Sequence, residues 1–307
     1  MFHYKKMRVD LNLINLQSKY APEELIQKSE SAYKTQIQAV TTKVIEKNTV
    51  KIILLAGPSS AGKTTTAKLI KNQLIASGFG SEVISMDNFF INRDITPILE
   101  DGSYDFENVN TVDIPYFKKF IEKILTTGKA QMPIFNFITG TREDLYIDIE
   151  LQDNSILIIE GIHALNPVIL DNHEQEVYRV FVNPNTEYFL NNQAVIEVRE
   201  LRRIRRMIRD FYTRGIKPNE TLKNWKNVVD GEKKYIFPYK TNADFILDST
   251  HYYEPLMYKK YIPALLDDSK ESKDIWNDLE YFEELDAHLV PKDSLLNEFL
   301  SGVIKNT

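Results

Sequence analysis

A glycine-rich loop between an apolar run and a helical run constrains the fold of this chain most strongly. Residues 57–64 read Gly-Pro-Ser-Ser-Ala-Gly-Lys-Thr and match the pattern G-x-x-x-x-G-K-[ST]. The apolar run 51–56 precedes the loop, and residues 67–75 after it have helical spacing. Because glycines let backbone N–H groups turn inward at a helix N-terminus, such a loop forms an anion nest. The pattern predicts that Lys63 reaches the outer phosphates of a nucleotide and that Thr64 places its hydroxyl on Mg²⁺.

The predicted nucleotide-binding residues form one continuous run. They are Gly57, Pro58, Ser59, Ser60, Ala61, Gly62, Lys63, Thr64 and Thr65. The motif alone does not separate a kinase from a GTPase, a motor or a transporter subunit. The class of reaction therefore has to be inferred from other residues.

Composition narrows the class of protein. The chain has 307 residues, of which 43% are hydrophobic and 27% are charged, as in soluble globular proteins. No apolar run approaches the roughly 18 residues that span a bilayer, and the first ten residues lack the apolar stretch of a signal peptide. With no cysteine, disulfides and thiolate zinc sites are excluded. We therefore expect a cytoplasmic protein without a membrane partner, and the net charge of −6 argues against a general nucleic-acid coat.

Strand-like and helix-like runs alternate along the chain, which predicts an α/β fold with a doubly wound, mostly parallel sheet. The predicted strands are 51–56, 82–86, 155–159, 177–182 and 244–247, and a hairpin is predicted over 131–151 around Thr139-Gly140. The predicted helices are 22–47, 67–75, 113–127 and 186–213. Between strand and helix, the long polar segment 87–112 indicates a functional loop. We expect three parts: a helical extension over 1–49, a P-loop domain over 50–266 and an acidic helical tail over 267–307.

Two carboxylates directly follow predicted strands. Asp87 comes after 82–86 and Glu160 after 155–159. Because the reactive crevice of an open parallel sheet lies beyond the carboxyl ends of its strands, both side chains are expected near the loop. Asp87 suits a base that accepts the proton of an attacking hydroxyl, or else it caps a turn. Glu160 suits a ligand of Mg²⁺, or else it is a structural hydrogen-bond acceptor.

The stretch ELRRIRRMIRDFYTRG, residues 200–215, predicts a helix with many arginines. They are Arg202, Arg203, Arg205, Arg206, Arg209 and Arg214, and they flank an apolar stripe of Leu201, Ile204 and Ile208. A solvated charged face explains such a run. A lid that closes on phosphates explains it as well, because arginine neutralises charge on a transferred phosphoryl group. An RNA-binding helix is a third option, which the net negative charge of the chain disfavours.

Together these motifs give the chain a family resemblance. It resembles the uridine kinase and phosphoribulokinase family of P-loop kinases over roughly residues 50 to 250. The segments that carry the likeness are GPSSAGKTTTAKLI, ISMDNFF, YDFENVNTVDI, MPIFNFITGTR, ILIIEGIHALNP and LRRIRRMIRDFYTRG. GIHALNP, KKYIFPYKTNADFILDS and VPKDSLLNEFLSG are similar to bacterial uridine kinase-related proteins with a threonyl-tRNA synthetase-like N-terminal region. We expect only about the last helix of that region here.

The resemblance implies a P-loop kinase with a five-stranded parallel core, a small hairpin and an arginine-rich helical lid. It implies transfer of the ATP γ-phosphate, with Mg²⁺, to a hydroxyl of a nucleoside or sugar-type acceptor. In that scheme Asp87 is the base, and Lys63, Arg209 and Arg214 act on the phosphates. The implied acceptor residues are Asp105, Phe135, Phe137 and Arg142. The expected partners are the small-molecule acceptor and, as an option, further copies of the chain.

Three positions depart from the pattern of uridine-cytidine kinases. Gly140 stands where those enzymes have a histidine, Ile216 where they have an arginine, and Asn224 where they have a glutamine. We therefore expect an intact phosphate-transfer end and an altered acceptor end. A kinase of a sugar phosphate or vitamin precursor, a non-catalytic ATP-binding regulator and an RNA-associated NTPase are the alternatives.

Overall fold

At the centre of the computed structural model, which describes residues 6–170 and 174–306, lies a wholly parallel five-stranded sheet. In chain order the strands are β1 (Met7–Asp10), β2 (Ile52–Ala56), β3 (Gly80–Ser85), β4 (Lys129–Asn136), β5 (Thr141–Glu150), β6 (Ser155–Glu160), β7 (Val177–Asn183), β8 (Thr186–Leu190), β9 (Gln193–Ile196) and β10 (Phe245–Asp248). The helices are α1 (Leu11–Tyr20), α2 (Pro22–Glu46), α3 (Lys63–Ala76), α4 (Ile114–Thr127), α5 (Val198–Arg214), α6 (Pro218–Tyr235), α7 (Glu254–Tyr261), α8 (Lys270–Glu280) and α9 (Asn297–Asn306). The first five residues of the predicted extension and Thr307 of the predicted tail lie outside the described residues.

The strand order of the central sheet is β10-β7-β2-β6-β3, which confirms the predicted α/β fold. Every residue of β2 is buried, because helices cover both faces of the sheet. Ile53 and Leu55 belong to one core cluster, and Ile52 and Leu54 belong to a second cluster. The alternation of side chains along the strand thus supplies both cores.

Several predicted elements are confirmed with nearly the predicted bounds. Helix α2 covers Pro22–Glu46, and α4 begins after Asp113, whose carboxylate accepts a hydrogen bond from the backbone N–H of Tyr116 at 3.1 Å. The predicted hairpin is the antiparallel pair of β4 and β5. Among the described residues, no helix is both long and apolar enough to cross a membrane.

The predicted helix over 186–213 is wrong in its first third. Residues 186–196 form the hairpin of β8 and β9, and α5 begins only at Val198. Asn191 and Asn192 both have positive φ angles, 49° and 65°, as a tight hairpin turn requires. Strand β8 also pairs in parallel with β1, a strand that was not predicted. Aromatic and β-branched residues in 186–196 favour strands once such partners are present.

The C-terminal residues pack into the same core as the central sheet. Helix α9 lies against α5, and Gly302 lies so close to the carbonyl of Tyr212 that a larger residue would clash there. The side chains of Leu295, Leu296 and Phe299 are fully buried. The last described helix therefore belongs to the body of the protein.

Candidate active site

Three segments meet at the carboxyl edge of the central sheet. The strand register places Glu160, at the end of β6, beside both Leu55 of β2 and Ser85 of β3. The glycine-rich loop follows β2, and Asp87 follows β3. A Cβ atom at Gly161 would lie 2.7 Å from the Cβ of Met86, so glycine is needed for this close approach. Parallel pairing thus brings the predicted loop and both predicted carboxylates to one edge.

The glycine-rich loop has the backbone geometry that an anion nest needs. At Gly57 a side chain would clash with the carbonyl of Val182, and Gly62 has a φ angle of +89°, which other residues rarely adopt. Helix α3 begins directly after Gly62, so its first N–H groups border the loop. Lys63 folds back over the loop, where its Nζ donates to the carbonyl of Pro58 at 3.2 Å. The donor set therefore fits the phosphates of a nucleotide.

Thr64 and Glu160, the two predicted metal ligands, are in contact. The hydroxyl of Thr64 donates to Oε1 of Glu160 at 3.3 Å. Glu160 is only 4% exposed, and burial together with the nearby charge of Asp87 raises its pKa to about 7, while Lys63 opposes the shift. A hydroxyl and a carboxylate are hard oxygen ligands, which suit Mg²⁺ when phosphates and water complete its shell. The pair therefore fits the ion that the sequence predicts.

Asp87 lies in a short turn, Met86–Phe89, directly after β3. Desolvation by the surrounding protein raises its pKa above the ordinary value, and the positive charges of Lys63, Arg214 and Arg209 oppose this rise. The four predicted catalytic residues are thus within electrostatic reach of one another. A partly buried carboxylate with a raised pKa is suited to accept a proton.

The arginines of α5 hold the glycine-rich loop from outside. Arg202 Nε donates to the carbonyl of Ser59 at 2.9 Å, and Arg206 Nη1 donates to the hydroxyl of the same serine at 2.9 Å. Arg205 Nη1 reaches the carbonyl of Ser60 at 3.4 Å. Arg202 and Arg205 are fully buried, and their carboxylate partners are Glu232 and Glu254. This bracing role was missed, although the two arginines border the apolar stripe that the sequence showed.

The two arginines predicted to act on phosphates share one carboxylate. Arg209 Nη2 donates to Oδ1 of Asp210 at 2.7 Å, and Arg214 Nη1 lies 3.5 Å from the same oxygen. The side chain of Arg214 is 54% exposed at the end of α5. Both charges act on Asp87, so they face the edge where the loop lies. Their role on the phosphates stays a prediction.

The predicted acceptor residues Asp105, Phe135 and Phe137 form two separate sets of contacts. Oδ2 of Asp105 accepts hydrogen bonds from Asn108 Nδ2 and from the hydroxyl of Tyr235, both at 3.1 Å. Phe135 and Phe137 pack edge to face with centroids 5.3 Å apart, and both contact Phe90. Tyr235 was not picked out from the sequence, because α6 brings it to Asp105 from 130 residues further along the chain. Asn108, which was not picked out either, lies only three residues after Asp105.

Arg142 is held by the protein. Its Nη1 donates to Asp113 Oδ2 at 3.1 Å and its Nη2 donates to the carbonyl of Phe89 at 3.0 Å. The residue therefore ties the hairpin to the start of α4. Contact with an acceptor stays a prediction for Arg142.

The three positions that depart from the family pattern have different surroundings. At Gly140 a Cβ atom would lie 2.7 to 2.8 Å from atoms of Arg93, so the Arg93 side chain occupies the space of a missing side chain. Ile216 is partly buried just after Gly215, which ends α5 with a φ angle of +67°. Asn224 lies on the exposed face of α6. Arg93 was not singled out from the sequence.

Two further ionisable residues near Asp105, His163 and Glu107, are buried. His163 is almost fully buried, and burial lowers its pKa to about 4, so the imidazole is neutral near pH 7. Burial and the charge of Glu232 raise the pKa of Glu107 to about 7. The ring of His163 lies 6.5 Å from that of Tyr235, edge to face. Neither His163 nor Glu107 was picked out from the sequence, because neither is part of a catalytic or metal-binding motif there.

The amino-acid sequence is similar to a known protein family and to several of its members. Residues 52–253 match the model of the Phosphoribulokinase / Uridine kinase family. A uridine kinase of Mycoplasma genitalium is 25% identical over 197 residues, which are 64% of this chain and 84% of that protein. A uridine kinase of Borrelia duttonii is 26% identical over 231 residues, covering 72% of this chain and 98% of that one.

One further relative is matched over only part of its length, and one solved structure is similar at low sequence identity. Uridine-cytidine kinase C of Dictyostelium discoideum is 27% identical over 193 residues, and the matched part of this chain spans only 37% of its length. The crystal structure of a putative fructose transport system kinase from Silicibacter sp. TM1040 superposes with a TM-score of 0.50 at 18% identity. The superposition covers 68% of this chain and 98% of that chain, and it shows a shared fold.

Proposed function

Because the chain belongs to the phosphoribulokinase / uridine kinase family, we propose that it transfers the γ-phosphate of ATP to a hydroxyl of a nucleoside or sugar-type molecule. Proteins of this family are phosphotransferases that act on hydroxyl groups. The observation that supports the proposal most strongly is that Lys63, Thr64, Glu160 and Asp87 meet at one edge of the sheet. A regulator that only binds ATP would not need Asp87 beside the other three.

The residues of the glycine-rich loop would hold the nucleotide. The N–H groups that follow Gly62 would bind phosphate oxygens, and Lys63 would leave Pro58 to reach the outer phosphates. Thr64 and Glu160 would hold Mg²⁺, which when bound neutralises charge on the phosphates. The arginines of α5 keep the loop in place without using its N–H groups, because they bond to its carbonyl and hydroxyl oxygens.

Asp87 would take the proton of the acceptor. As the acceptor oxygen attacks the γ-phosphorus, its O–H bond breaks and the proton passes to an Asp87 carboxylate oxygen. The bond from the γ-phosphorus to the bridging oxygen breaks, and ADP leaves with that electron pair. Desolvation raises the pKa of Asp87 and so makes it a stronger base than an exposed aspartate, while the positive charges of Lys63 and Arg214 favour its ionised form.

Uridine and cytidine are expected to be poor acceptors. A pyrimidine pocket must pair the polar edge of the base, and an unpaired buried group costs discrimination. At Gly140 the space of a family histidine is filled by Arg93, whose Nη2 donates to the carbonyl of Phe137 at 2.7 Å. Phe135 and Phe137 still offer a stacking surface, and Asp105 still offers a carboxylate to sugar hydroxyls.

A screen for acceptor-dependent ADP release over nucleosides, sugars, sugar phosphates and vitamin precursors tests both the proposal and this expectation. We expect some other hydroxyl compound to exceed uridine and cytidine in kcat/KM. A kcat/KM for uridine of order 10⁵ M⁻¹s⁻¹ would show that other residues recognise the pyrimidine. ATP binding without any acceptor-dependent ADP release would instead favour a non-catalytic regulator.

Arg209→Ala and Arg214→Ala should lower turnover more than they lower acceptor affinity, by about tenfold or more in kcat. The reason is that arginine interacts most strongly with charge that develops during transfer. Steady-state kinetics with ATP and the best acceptor from the screen would measure kcat and KM separately. The exposed Arg199 at the other end of α5 offers a matched control, Arg199→Ala. Loss of RNA binding with unchanged phosphoryl transfer would reject the assignment and support an RNA-associated NTPase.

A further inference from the structure

A carboxylate of the C-terminal helix occupies donors of the glycine-rich loop. Oε2 of Glu298 accepts hydrogen bonds from the backbone N–H of Thr65 at 3.2 Å and from the Thr65 hydroxyl at 2.8 Å. Thr65 is the third residue of α3 and the last residue of the predicted nucleotide-binding run. Glu298 lies in the first turn of α9, 233 residues further along the chain. The contact therefore joins the last described helix to the proposed phosphate site.

The backbone N–H of Thr65 belongs to the set of donors that a nucleotide would use. In loops of this pattern the backbone N–H groups cradle the α- and β-phosphates, and the helix N-terminus carries partial positive charge. A carboxylate and a phosphate are both anions, so they compete for one N–H group. On the basis of the proposed function, we propose that Glu298 is an internal anion that occupies Thr65 in the free protein and that ATP must displace its carboxylate. Glu298 thereby lowers the affinity for ATP.

When ATP displaces the carboxylate, the side chain of Glu298 rotates and helix α9 remains packed against the protein. Leu295, Leu296, Phe299 and Leu300 are fully buried, so a departure of α9 would expose four apolar side chains. Leu295 lies directly over Gly62, where a larger residue would clash with it. Among the residues that the structure describes, rotation of the Glu298 side chain breaks only its two hydrogen bonds to Thr65. The packed helix thus keeps the carboxylate near the loop after it has been displaced.

The charges around Thr65 explain why this anion opposes ATP. Glu160 and Asp87 already bring negative charge to the same edge, and Glu298 adds to the charges that raise the pKa of Glu160. ATP brings further negative charge to this edge. A neutral side chain at position 298 would remove one negative charge that repels ATP. It would also bind the N–H of Thr65 less strongly, so ATP would displace it more easily.

The test compares Glu298→Gln with Glu284→Gln, an exposed glutamate whose replacement changes the net charge equally. Titration calorimetry gives the Kd for ATP with Mg²⁺, and thermal unfolding without nucleotide gives Tm. For Glu298→Gln we expect a Kd about tenfold lower, the scale of a lost charge-assisted hydrogen bond. The Tm should fall by a few degrees, because the N-terminus of α3 loses its negative partner. Glu284→Gln should change neither quantity.

Tighter ATP binding together with lower thermal stability distinguishes this proposal from a merely structural contact. A lower Tm with an unchanged or higher Kd for ATP would overturn it, because Glu298 would then only cap the helix. If Glu298→Gln does not fold, Glu298→Asp keeps the charge but shortens the reach, and it should also lower the Kd. An unchanged or higher Kd in that variant would overturn the proposal as well.

The proposed function can fail separately. If the unaltered protein binds ATP and releases ADP with an acceptor while Glu298→Gln binds ATP no more tightly, only the role of Glu298 is rejected. If neither protein binds ATP, the ATP site is rejected and the role of Glu298 falls with it.

Discussion

Lys63→Ala is expected to abolish turnover and to weaken ATP binding. The Lys63 ammonium group would meet the outer phosphates, and Lys63 is the only charged residue in the run 57–65. Its one hydrogen bond among the described residues goes to the carbonyl of Pro58, so the fold should tolerate the change. Titration calorimetry with ATP and Mg²⁺ would measure affinity, and acceptor-dependent ADP release would measure turnover.

Lys68→Ala provides the matched control, since Lys68 is an exposed lysine on the same helix, α3. It should leave both affinity and turnover unchanged. Unaltered ATP affinity and turnover in Lys63→Ala would contradict the assignment of this loop to ATP.

Asp87→Asn is expected to leave ATP binding near normal and to lower turnover by at least about a hundredfold, the usual scale for loss of a general base. Asparagine keeps the shape of the side chain but cannot take a proton at neutral pH. The change also removes a charge that burial disfavours, so the folded state should not lose stability through desolvation. Single-turnover measurements at saturating ATP would isolate the transfer step.

Asp94→Asn is a suitable control, because Asp94 is exposed in the turn that follows Asp87 in the chain. A collapse of ATP binding in Asp87→Asn would mean that Asp87 holds a metal or the fold instead of a proton. Normal turnover in the same variant would equally reject its role as base.

The residues at the carboxyl edge of the sheet could be predicted from the sequence, because the ends of apolar strands and a glycine-rich motif can be recognised locally. Asp87 and Glu160 each follow a short apolar run, and parallel register then places them together without further information. The hairpin of β8 and β9 could not be found by spacing alone, because its partner β1 lies about 180 residues earlier. Its local signal was the pair Asn191-Asn192.

Contacts between distant segments were the part that sequence could not supply. Arginines usually cover a solvated face, yet Arg202 and Arg205 are buried because Glu232 and Glu254 come to them from other helices. Glu298 gave no signal either, since nothing in its own surroundings in the chain points to Thr65. The positions of Asp87 and Glu160 near the glycine-rich loop were therefore predictable, and the distant residues that contact the loop were not.

The pairing of β1 with β8 determines where this protein can be divided. Helix α2 follows β1 and α1, and the hydroxyl of its Tyr33 hydrogen-bonds that of Thr66 in α3 at 2.7 Å, inside the core. A fragment starting at residue 50 would leave one side of β8 without a hydrogen-bonded neighbour and would uncover the apolar surface beneath α2. Open strand edges next to apolar surface recruit other chains, so such a fragment would tend to aggregate. We therefore expect that a fragment cut at residue 50 does not fold well alone, and recombinant work on the P-loop part should retain the N-terminal helices.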